Sequence, residues 1–185
     1  MPSHEMLDSR YGSIRLQRND GGRSFVISGE SIPTASVTRS GEHAVRTDVP
    51  IGTRDGRHLR LLIDGKGYDL DLSPGKFSRR SYRIHITGHD QAWLFTAATP
   101  HAHRLVEGTR HTGSNEIGMF TADDEYDVVV EWTDEIRMAG VVAHKVDSTP
   151  LTCSLGYVLA ASFGTGAQLM LPAIFAGAAE ALFPF

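Results

Sequence analysis

Two groups of side chains in this chain have types and spacings suited to chemistry. The first is His101-Ala102-His103, followed by Glu107 and His111. Two imidazoles at i and i+2 on a strand point the same way, and two histidines with a carboxylate can hold a divalent transition metal while leaving positions open for substrate. His144 is available as a further ligand. The second is the run Lys76-Phe77-Ser78-Arg79-Arg80-Ser81-Tyr82-Arg83, in which Lys76, Arg79, Arg80 and Arg83 put four cations within eight residues. Such a run can grip phosphate or a headgroup at an anionic surface, each cation contributing about 1 kcal/mol. Both groups have a plain alternative. Histidine is common at intermediate burial in strands and loops, and charge in a turn entering an edge strand discourages sheet-to-sheet association. The single cysteine, Cys153, lies in an apolar stretch where burial works against a thiolate, so it reads as a small buried hydrophobe. No phosphate-binding loop and no G-x-S-x-G nucleophile turn occurs.

The elements that must position these residues are strands. Apolar residues alternate in Ile14 and Leu16, Phe25 and Ile27, Leu59, Leu61 and Ile63, Tyr68, Leu70 and Leu72, Ile84 and Ile86, Trp93 and Phe95, and Val128 and Val130. Period two is the signature of half-buried strands. The breaks carry turn chemistry, as in Asn19-Asp20-Gly21-Gly22, Asp64-Gly65 and Thr87-Gly88-His89-Asp90. An apolar-Arg-apolar triplet recurs at Ile14, Leu59 and Tyr82, consistent with regularly spaced hairpins. The sequence therefore predicts a mainly β protein: an antiparallel barrel of about twelve strands over 11–148, a flexible N-terminus over 1–10, and an apolar helical tail over 149–185 packed with the barrel. Asp134–Asp147 fits either a strand or a helix.

The tail carries one charge, Glu180, from Pro150 onward, with helices expected at about 151–163 and 167–182. A helix that is apolar all round must be enclosed by something apolar: the barrel interior, a bilayer or another subunit. The remaining composition, 41% hydrophobic and 22% charged with a net charge of −4, implies no attraction to nucleic acid. The opening MPSHEMLDSRYGS lacks the apolar core of a secretory signal, which points to the cytoplasm.

Ile117-Gly118-Met119-Phe120, then Asp124-Glu125-Tyr126-Asp127-Val128-Val129-Val130, then Asp134 and the apolar stretch beyond resemble the closing part of the tubby-like barrel shared by tubby, the phospholipid scramblases and the LURP-one-related proteins. The resemblance implies a closing helix along the barrel axis and binding at membrane surfaces, with anionic lipid headgroups as ligands in some members. The segment 167–185 is a departure from it. Separately, His101, His103 and Glu107 resemble the first metal motif of the cupins, with Phe95 where that motif has glycine. Two functions follow as expectations. The first is a binding module, not an enzyme and without a cofactor, that contacts anionic lipid through Lys76, Arg79, Arg80 and Arg83. The alternative is a cupin-like enzyme holding a divalent transition metal on His101, His103, Glu107 and His144. A third, structural reading is a tail-anchored protein or a homo-oligomer joined through the apolar tail.

Overall fold

The computed structural model describes residues 3–41, 45–75, 78–123, 127–133, 136–138, 141–143 and 146–166. Its alternating residues form the expected strands. Eleven of them follow one another in chain order, each antiparallel to the next: β1 (Ser3–Asp8), β2 (Gly12–Asn19), β3 (Ser24–Gly29), β4 (Ile32–Arg39), β5 (Leu59–Ile63), β6 (Lys66–Leu72), β7 (Ile84–Gly88), β8 (Gln91–Ala97), β9 (Ala102–Glu107), β10 (Glu116–Ala122) and β11 (Val128–Trp132). The sheet curls into a nearly closed barrel because its inner row is continuous and apolar. Ile14, Leu16, Phe25, Ile27, Leu61, Ile63, Ile84, Ile86 and Phe95 are all buried, while their neighbours along each strand are less so.

Ile63 pairs with Lys66 and Gly88 with Gln91, so the two-residue turns Asp64-Gly65 and His89-Asp90 join β5 to β6 and β7 to β8. All four turn residues have positive φ, the geometry whose twist matches the flanking strands. His89 adopts it without being glycine, with its ring edge-on to Tyr68 at 5.1 Å.

The interior is filled by α1 (Pro150–Phe163). Pro150 sits where a helical N–H would be orphaned in any case, and Thr149 and Thr152 cap the first turn reciprocally. Every residue from Thr152 to Phe163 is buried. At about 1.5 Å per residue the helix is roughly 21 Å long, the height of a five- to eight-residue strand. Small residues let the strands close round it. A Cβ on Gly156 would stand 2.1 Å from Phe120 Cζ on β10, and the Ser154 hydroxyl donates to the Pro33 carbonyl on β4. Among the described residues no helix is long and apolar enough to cross a membrane. The helix expected at 167–182 lies outside the described residues.

The structure revises one sequence reading and settles part of another. Ser3–Asp8, read as part of a flexible N-terminus, is β1, paired along its length with β2. Its inward positions are Met6 and the carboxylate Asp8, so no apolar alternation betrayed it. Within 134–147, Ile136–Met138 and Val141–Ala143 form a small antiparallel pair, β12 and β13, apart from the barrel sheet. Of the two readings the sequence left open, the described residues of this segment take the strand.

The two rims of the barrel differ. The rim where α1 begins has mostly tight connections, such as 9–11, 30–31, 64–65 and 89–90. The rim where α1 ends carries longer ones: 40–58, 73–83, 98–101 and 123–127. The loop 40–58 closes this exit rim by burying Val49 and Ile51, with the Ile51 N–H donating to the Ser162 carbonyl at 2.8 Å.

Candidate functional site

The meander brings nine arginines to the exit rim or its strand ends: Arg18, Arg23, Arg39, Arg46, Arg54, Arg57, Arg79, Arg80 and Arg83. Most are exposed or ion-paired. Arg39 and Arg54 are both buried, 8% and 7% exposed, and of the two Arg54 lines an open groove, with no carboxylate within ion-pair distance among the described residues. Its Nε donates to the Ser73 carbonyl at 2.9 Å and its Nη2 to the Arg83 carbonyl at 3.3 Å, tying together the two ends of the loop 73–83. The guanidinium lies over the rings of Tyr82 and Phe163, 5.7 and 5.6 Å from their centroids. Burial, and then repulsion from Arg46, lowers its pKa to about 10, so it stays charged at neutral pH.

Arg54 lines a groove of about 1010 Å³ between the loop 46–57 and the end of β6. Arg46 stands beside it, bound to the Asp48 carboxylate through Nε at 3.0 Å and to the Pro74 carbonyl through Nη1 at 2.7 Å. On the opposite side Arg57 pairs with Asp55 at 2.7 Å. Asp71 adds a carboxylate to the wall, and Leu70 and Leu72 add apolar surface. Arg54 Nη1 is left without a protein partner among the described residues. A desolvated cation with a spare donor, flanked by a second guanidinium, attracts an anion far more strongly than a solvated one does.

No family model, curated protein or solved structure matches this chain. Function therefore rests on the geometry of the rim.

The basic turn predicted from sequence adjoins the groove. Arg79 and Arg80 are exposed on the 3-10 turn Arg79–Tyr82, and Arg79 Nη1 approaches the Ala98 carbonyl at 3.4 Å. Arg83 is half-buried, with Nε buried and lacking a hydrogen-bond partner. Lys76 lies outside the described residues.

The predicted metal residues are dispersed. His103 faces inward, stacked on Phe95 at 4.7 Å. Its Nδ1 accepts the Gly166 N–H at 2.7 Å and its Nε2 faces the Tyr82 carbonyl at 3.3 Å, so both ring nitrogens are occupied. Burial holds its pKa down at about 3 and keeps the ring neutral. His101 and Glu107 are exposed at opposite ends of β9, and His144 lies outside the described residues. No group of three metal-ligating side chains occurs among the described residues. Cys153 is buried, which raises its pKa, as its apolar setting implied.

One polar cluster went unseen in the sequence. Asp8, 4% exposed, accepts the backbone N–H of Arg10 and Tyr11 at 2.7 and 2.9 Å, the Trp132 indole N–H at 3.1 Å and the Tyr157 hydroxyl at 2.8 Å. Burial and this hydrogen bond raise the Tyr157 pKa. A buried carboxylate so supplied is a structural tie between β1, β11 and α1.

Proposed function

We propose that the protein is a binding module of tubby-like kind that holds a phosphate-bearing anion, a lipid headgroup at a membrane surface, on the exit rim of its barrel, without chemistry of its own. The observation that supports this is Arg54: a guanidinium enclosed by the fold, unpaired by any described carboxylate, at the wall of an open groove. Enclosing a cation without a carboxylate partner costs stability. Arg46 stands beside the site already paired with Asp48, and exposed Arg79 and Arg80 attract the anionic surface around it. Both rims carry charges of both signs, Glu30, Asp64, Asp90 and Glu107 beside Arg10, Lys66 and Arg110 at the entry rim and Asp48, Asp55, Asp123 and Asp127 among the arginines of the exit rim, so the orientation rests on Arg54, Arg79 and Arg80.

The test is co-sedimentation of the full chain with neutral phosphatidylcholine vesicles and with vesicles containing phosphatidylserine or a phosphoinositide. Inorganic phosphate and a soluble inositol phosphate serve as competitors. The chain should associate with the anionic vesicles, less at high salt, and Arg54→Met should weaken that binding about tenfold or more, the worth of a hydrogen bond to a charged group. Equal partition onto neutral and anionic vesicles would sink the membrane reading. Saturable binding of inositol phosphate without vesicle association would move the ligand from lipid to a free phosphate ester.

A further inference from the structure

The barrel has an odd number of strands. In an up-and-down meander β1 and β11 therefore run in the same direction, from the exit rim to the entry rim, and their facing edges are joined by no ladder among the described residues. Side chains bridge the seam instead. His4 pairs with Asp127 at the exit end, and Asp8 takes the Trp132 indole at the entry end. Between them the Val128 N–H, a strong donor, ends on the Met6 thioether at 3.3 Å. Sulfur is a weak acceptor, so this backbone group is poorly served. Antiparallel alternation turns the N–H and C=O of Val130 to the same side as those of Val128. The seam opens into a cavity of about 530 Å³ floored by Tyr157.

We propose that the seam accepts an extended segment of a partner protein as a twelfth strand, antiparallel to both β1 and β11. Only a strand running from the entry rim to the exit rim satisfies both edges with antiparallel bonds. The outer faces of the two edges say what that strand carries. On β1 they are Glu5 and Leu7, and on β11 Val129 and Glu131, with Leu7 86% and Val129 65% exposed. Each edge thus presents one carboxylate and one apolar residue, Glu5 lying opposite Arg15 of β2 and Glu131 opposite Met119 of β10. The complementary outward row combines cations with a β-branched apolar residue at alternate positions. The partner is thus a basic extended segment bound by β-augmentation. The site is separate from the Arg54 groove, and neither proposal depends on the other.

The experiment is amide hydrogen exchange on the full chain with the peptide Gly-Lys-Thr-Val-Thr-Lys-Gly, together with its affinity by calorimetry. The peptide should slow exchange at Val128 and Val130, and replacing its lysines by glutamate should weaken binding about tenfold. The surface double variant Glu5→Lys with Glu131→Lys should reverse that preference without unfolding the barrel. The proposal is overturned by any of four results. These are no slowing at about 1 mM peptide, equal affinity for the two peptides, Val128 and Val130 amides already protected in the monomeric peptide-free chain, or a dimer that protects them, which would make a second copy the occupant.

Discussion

Arg54 and His103 are two nitrogen bases buried beneath the same rim, and burial disposes of their charges oppositely. The guanidinium is too basic to give up its proton and lies charged between two rings and two carbonyls. The imidazole escapes the cost by staying neutral, with its folded pKa at about 3 against an ordinary 6.5. The consequence for stability has a definite sign. A folded pKa below the unfolded one contributes stability that is complete above about 6.5 and is lost as pH falls towards 3, because the unfolded chain takes up a proton that the folded chain refuses. The slope within that window approaches about 1.4 kcal/mol per pH unit. His103→Asn, whose side-chain carbonyl can still accept the Gly166 N–H, should flatten this part of a denaturation profile measured between pH 3 and 7; an unchanged slope would assign it to other groups. The sequence marked His103 as a residue of interest but not the contacts it makes, since these partners lie 21 and 63 positions away. Arg54 was not legible, because nothing in Thr53-Arg54-Asp55-Gly56 distinguishes a buried arginine from a loop arginine before the loop is folded back over Phe163.

At the scale of elements, most of the barrel could be read in advance because strand alternation and turn chemistry are local. The Asp64-Gly65 turn, the Phe25–Ile27 strand and the helix from 151 to 163 all lie where the sequence puts them. β1 was hidden because its inward row holds one apolar residue and one carboxylate whose donors include a tyrosine 149 positions on. The helix also shows why its sequence mixes Leu and Tyr with Gly, Ala and Ser: a helix inside a barrel needs bulk where the wall recedes and none where it presses in. Gly156 is the closest approach, under the ring of Phe120. Gly156→Ala should destabilise the protein despite its gain in helix propensity, because the methyl must displace a ring itself wedged against Phe95, Trp132 and Tyr157. Overpacking of this kind costs about 1–3 kcal/mol, set against about 1 kcal/mol returned by the propensity. Urea unfolding would decide it, with a more stable variant contradicting the close packing.

For the whole molecule, the helix is to the barrel what a hydrophobic core is to any domain. A chain ending at Ser148 should lose cooperative thermal unfolding and aggregate, because the inward faces of β3, β4 and β10 would face water or one another across a void wider than side chains can fill. A soluble truncated chain with a sharp transition would show instead that the barrel closes on itself. The same arrangement has a bearing on how the protein is made. Synthesis delivers all eleven strands before the segment they surround, so an incomplete sheet with an apolar inner face waits for the centre that is made after it. Contacts such as Asp8 with Tyr157 form between β1 and α1, and closures so distant in sequence are slow. Until α1 emerges, the nascent chain is a client for chaperones that bind exposed apolar sheet, and a pause in translation just before Pro150 would lengthen that dependence.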